Sequence, residues 1–208
     1  MNVRRILEIG GYVAGAVLIV FGIVVIVLAI NGHSTVISEL KAQQITGTPD
    51  MTPEAIKAEG EKAGLKNVDY PTCTVAGQLV DTGARARCFA QYMNIHALLA
   101  TGGLVYSQMP RYASADGKGT NDAAQATKGP NGQPLDNPAR QIWITETALS
   151  TALNTSYMAT QLSIFSLVVG IALLLSGIGF IVLALGGALS GLAKSRATET
   201  EGAPAPTT

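Results

Sequence analysis

The chain has 208 residues with 14 basic and 14 acidic side chains, so its formal net charge is zero, and only 13% of its residues are charged. That balance gives no electrostatic footprint for nucleic acid. Two long stretches without Asp, Glu, Lys, Arg or His, 10–30 and 162–185, leave room for one small soluble domain between them.

Residues 1–9 carry Arg4 and Arg5 and read as a short cytoplasmic N-terminus. The run 10–30 is apolar throughout and matches the roughly 20 residues needed to cross a ~30 Å hydrocarbon core. Backbone groups in lipid must be satisfied within the segment, so a helix is expected. The competing reading is a cleaved signal peptide, with Val27-Leu28-Ala29 as a loose processing site. The apolar run exceeds the ~7–15 residues of a typical signal core, which favours a retained span. Gly11 and Gly15 are spaced for close approach of a second helix.

Residues 31–161 form the expected extracytoplasmic domain. A continuation of the first helix is expected over 38–44, broken by Gly47-Thr-Pro-Asp. Thr52-Pro53-Glu54 reads as N-cap, N1 proline and first-turn acid. The helix so started is expected to end at Ala63 with Gly64 as its cap, and Gly60 weakens its interior. Segment 66–80, interrupted by Pro71 and Gly77, reads as extended chain with at most a short strand. Segment 84–101 is expected to be helical, with Phe89, Tyr92, Met93, His96 and Leu99 on one face.

Cys73 and Cys88 are the two cysteines. On the oxidising side of a membrane they are expected to pair, closing a loop of about 15 residues worth about 3 kcal/mol. Seven aromatics (Tyr70, Phe89, Tyr92, Tyr106, Tyr112, Trp143 and Tyr157) promise a modest core, the kind that a staple helps.

Segment 116–137, rich in Gly, Asp, Asn, Lys and Pro, reads as a mobile loop that buries little. Asn137-Pro138 repeats the cap-then-proline start. Nothing after it interrupts a helix until the second span is crossed. One helix of roughly 50 residues is therefore expected, its outer part a stalk with a sparse stripe of Ile142, Leu149 and Leu153. Small residues stud the second span at Gly170, Ser176, Gly177 and Gly179, and continue past it at Gly186, Gly187 and Gly191. Gly170, Gly177 and Gly179 join Gly11 and Gly15 as expected helix-packing positions. Residues 186–208 are expected to be the helix end and a disordered cytoplasmic tail.

Orientation follows from basic residues beside the spans. Arg4 and Arg5 flank the first, Lys194 and Arg196 the second, while 31–161 holds ten basic and eleven acidic residues. Both termini are thus expected to be cytoplasmic, in a multi-pass protein of the plasma membrane.

Candidate chemistry is sparse. His33 and His96 are the only histidines. His96 reads as a packed, hydrogen-bonded residue, and a 2-His-1-carboxylate iron set would need two remote segments to converge. The segment Asp116-Gly-Lys-Gly-Thr-Asn-Asp122 is neither a phosphate-binding loop nor a calcium loop, since Lys118 occupies a ligand position. No catalytic residue, cofactor or metal set is expected.

The segments Tyr70-Pro-Thr-Cys-Thr-Val-Ala-Gly-Gln, Ala90-Gln-Tyr-Met-Asn-Ile-His-Ala and Trp143-Ile-Thr-Glu-Thr-Ala-Leu-Ser-Thr-Ala-Leu-Asn carry a resemblance. The chain resembles, over most of residues 3–190, a family of actinobacterial two-span membrane proteins, some of which are labelled aromatic ring-opening dioxygenases. The resemblance implies a cell-envelope membrane protein. The enzyme label implies an iron site for which these residues provide no evident triad.

The expected fold is therefore mainly α: two transmembrane helices flanking a small helical extracytoplasmic domain. The expected role is non-enzymatic, a structural or assembly component whose partners are the lipid bilayer and either copies of itself or another membrane protein. An oligomeric channel is the first alternative, though no polar pore-lining stripe is present. An outer-facing enzyme is the second.

Overall fold

The computed structural model describes residues 3–186, with side chains from Arg5 onward. The four α-helices are α1 (Val3–Ala42), α2 (Pro53–Lys62), α3 (Gly83–Ala100) and α4 (Pro138–Leu185), with a 3-10 turn at Tyr106–Gln108. Among the described residues there are only isolated β-bridges and no strands. The described residues divide into two compact units, one of 3–33 with 162–186 and one of 34–161. The expectations for 187–208, including a disordered tail, lie outside the described residues.

In the first unit, α1 and α4 each contain a segment long and apolar enough to cross a membrane, and most of each segment is exposed. The two helices run antiparallel along a seam of small residues. A methyl added to Gly15 would stand 2.6 Å from Ile181 Cγ1 and 2.8 Å from the Gly177 carbonyl oxygen. One added to Gly22 would stand 2.8 Å from the Gly170 carbonyl oxygen, with Leu174 beside it. Reciprocally, Gly177 meets Ile19 and Gly170 meets Ile26.

Positions 15, 19, 22, 26 and 29 on α1 thus alternate small and large at four- and three-residue steps. Positions 170, 174, 177, 181 and 184 do the same on α4. Such spacing keeps a seam on one face of two supercoiling helices, and glycine opposite isoleucine lets the backbones close in.

The second unit is built around α3. The buried core contains Leu40 from α1, Met51, Ile56 from α2, Val75, Val80, Ala86, Phe89, Tyr92 and Ile95 from α3, and Leu153 from α4. Helix α2 starts and stops as its residues dictate: the Thr52 hydroxyl accepts from the Ala55 amide at 3.3 Å, Pro53 occupies N1, and Gly64 takes φ +74° just past the end. Gly60 has a packing role, because a side chain there would collide with the Tyr70 ring. Segment 66–80 is extended without forming a strand. It is held by single pairings such as Val80 N–H to Ile45 O at 2.8 Å and Gly77 N–H to Gly47 O at 2.9 Å.

Three expectations need correction here. Burial on α3 is broader than a single stripe: Ala86, Cys88, Ala90 and Ala97 are buried with Phe89, Tyr92 and Ile95, whereas Met93, His96 and Leu99 are half-buried. The helix is central, so opposite faces meet different neighbours. The stalk is not free-standing, because the 138–161 part of α4 packs on α3. Its inward positions are Trp143, Glu146 and Leu153, while Ile142 remains 38% exposed.

Segment 116–137, finally, is more organised than its composition implies. Tyr112 and Thr120 exchange two backbone bonds of 2.9 Å, Ala113 N–H reaches Leu135 O at 2.9 Å, and Ala126 is buried. The Trp143 indole N–H donates to Leu104 O at 2.9 Å, fastening the start of this connection to α4.

Candidate functional site

Cys73 and Cys88 form a disulfide with a Cα–Cα distance of 6.1 Å. It ties the extended 66–80 segment to the first turns of α3. Beside it, the Tyr92 hydroxyl donates to the Cys73 carbonyl at 2.6 Å. Burial is the main influence pushing the Tyr92 phenol above its ordinary value, followed by the negative charges of Glu54 and Asp50.

Of the two, Asp50 belongs to a cluster assembled from three segments. Asp50 lies in the turn before α2, where Met51 N–H closes on Thr48 O at 3.0 Å and the buried Met51 anchors the bend. Glu59 projects from α2, and His96 comes from the last turns of α3. His96 Nε2 and Asp50 Oδ2 are 2.7 Å apart. Donor atoms of Asp50, Glu59 and His96 all lie within 4.8 Å of one another, the one such grouping of three among the described residues. The Asp50 carboxyl is held below the ordinary carboxylate value, chiefly by the Thr48 hydroxyl, with its own backbone amide and His96 adding to this against the effect of burial.

Sequence spacing identified His96 as a packed and hydrogen-bonded residue and missed Asp50 and Glu59. Asp50 and His96 are 46 residues apart, and no short motif links them. The only local hint was the Pro49-Asp50 turn that delivers α2.

On its other side His96 lines a groove of ≈ 550 Å³ between α3 and α4, with Met93, Ala97, Ala100, Ile142 and Glu146. Glu146 is buried and accepts from the Ser150 hydroxyl at 2.7 Å. The groove is mostly apolar, and this carboxylate is its one buried acidic group among the described residues.

Of the expected helix-packing glycines, Gly15, Gly170 and Gly177 sit in the seam, joined by Gly22, which the sequence reading passed over. Gly11 is buried on α1. Gly179 does not belong with them: a methyl there would meet nothing within 4 Å. It is two residues from Gly177, about 200° around the helix, and so faces away. His33 falls four residues after Ala29, continuing the seam spacing, and its Nδ1 is buried without a partner among the described residues.

Comparison with known protein families, with curated proteins and with solved structures gave no match.

Proposed function

We propose that this chain is an integral protein of the cell envelope, spanning the membrane at 10–30 and 162–185 with both termini cytoplasmic and 31–161 outside. Its role is association with a membrane complex or with its own copies, in line with its resemblance to the actinobacterial two-span family. The observation that carries this reading is the bracketing of a disulfide-stapled helical unit by two apolar helices whose outward faces are lined by large apolar side chains. Val13, Val17, Val20, Phe21, Leu28, Phe165, Val168 and Val182 are all exposed. Soluble proteins rarely expose so continuous an apolar surface, and lipid solvates it. The disulfide supports an oxidising compartment for the unit between them. Basic residues flanking both helices support the orientation.

The seam glycines are engaged within one chain, so they leave partner recognition to the central unit. Crosslinking in intact cells, followed by mild detergent extraction and mass spectrometry, tests the association. A defined partner or homo-oligomer is expected, and a monomer that carries nothing with it overturns the proposal. For the topology, a membrane-impermeant amine reagent is expected to label Lys57 and Lys62 in intact cells; protection of both until lysis refutes the orientation.

A further inference from the structure

We propose that Asp50, Glu59 and His96 form a binding site for a divalent transition-metal cation, with Zn2+ as the reference ion. Three features of the cluster carry this. First, the donor set is mixed, one imidazole nitrogen and two carboxylates, a combination suited to borderline cations rather than to hard ones alone. A metal-bound imidazole is necessarily neutral, so the two carboxylates would supply two negative charges, matching a dication.

Second, the spacing is close to that of ligands around one ion. Donor atoms around a tetrahedral zinc at 2.0–2.1 Å are separated by about 3.4 Å. The three groups already lie within 4.8 Å of one another, so small rotations open the 2.7 Å His96–Asp50 contact and draw Glu59 in. Third, among the described residues no Lys or Arg pairs with either carboxylate, and the only cationic partner within reach is His96 itself, 2.7 Å from Asp50. The Lys and Arg ion pairs there are Lys57–Glu61 and Arg85–Asp81.

Asp50 is also held from behind, as metal ligands commonly are. The Thr48 hydroxyl bonds to Asp50, and Asp50 and His96 are each only partly exposed. Glu59, the exposed ligand, leaves room for water to complete the coordination sphere. The site rests on the packing of the central unit and stands or falls independently of any partner.

The test is calorimetric titration of ZnCl2 into full-length protein in detergent micelles, purified through a histidine-free tag and stripped with chelator. The expected result is one Zn2+ per chain. His96→Ala and Glu59→Gln are each expected to weaken binding by roughly tenfold or more, while Glu61→Gln, on the same helix, leaves it unchanged. Because His96→Ala also removes a fold-supporting hydrogen bond, Glu59→Gln is the decisive variant. Co2+ is expected to bind in the same place and to show visible ligand-field absorption that is lost in Glu59→Gln. The proposal is overturned by absence of Zn2+ binding, by unchanged affinity in Glu59→Gln, or by Mg2+ displacing Zn2+ at comparable concentration.

Discussion

Tyr92 is the largest of the fully buried side chains, and its hydroxyl has one partner, the Cys73 carbonyl. Tyr92→Phe keeps the ring and strands that carbonyl, so a loss of about 1–3 kcal/mol is expected in denaturant titrations. The phenol is also pushed above its ordinary value. Its contribution is therefore complete below the unfolded phenol value of about 10 and is lost as pH rises through the higher folded value. Unfolding followed across the alkaline range should have a shallower limb in Tyr92→Phe than in the parent. Asp50 works with the opposite sign. Its carboxyl is lowered, so the stability it confers is present above the unfolded carboxylate value of about 3.9 and fades as pH falls through the lower folded value. Asp50→Asn should flatten that acid limb, and an unchanged acid profile would count against the Thr48 and His96 contacts.

Among the elements, the glycine seam separates two kinds of glycine. Gly22→Leu and Gly170→Leu put a side chain against the partner backbone, and overpacking of this kind costs about 1–3 kcal/mol. In SDS titrations followed by circular dichroism, both should unfold earlier than the parent, while Gly179→Leu should not. The link from Trp143 to Leu104 makes a second prediction. Trp143→Phe removes the indole donor, and hydrogen exchange over 104–113 should quicken while exchange in the core of α3 changes little.

The elements themselves were largely legible, for local reasons. Thr52-Pro53 and Asn137-Pro138 announce helix starts because proline and a side-chain acceptor both suit a first turn. The 48-residue length of α4 follows from the lack of any breaker after Pro138. What was not legible depends on tertiary neighbours. The buried positions Trp143 and Glu146 could not be told from Ile142 without knowing which side of α4 meets α3. Gly22 could be recognised as a seam residue only once Gly170 stood opposite it. The Asp50–Glu59–His96 cluster was hidden by sequence distance, whereas Cys73 and Cys88 were visible because two cysteines allow a single pairing.

At the scale of the whole molecule, the disulfide is the one covalent tie between distant parts of the central unit. Replacing both cysteines by serine frees a loop closed across 15 residues, and a loss of about 3 kcal/mol is expected. Trp143 is the only tryptophan and is buried, so its fluorescence reports the unfolding of this unit without labels. A reducing agent applied to the parent should reproduce the effect of the double variant and leave that variant unaffected.

The seam between α1 and α4 counts in sevens, from Gly15 to Gly22 on one helix and from Gly170 to Gly177 on the other. Deleting one residue between Gly15 and Gly22 would turn everything beyond it by about 100° and bring Ile23, Val27 and Ile30 to the seam positions of Gly22, Ile26 and Ala29. Removing seven from each helix would restore the facing but shorten the pair by about 10 Å, roughly a third of a hydrocarbon core. The helix pair is thus quantised in length: its contact and its reach can change together only by whole repeats.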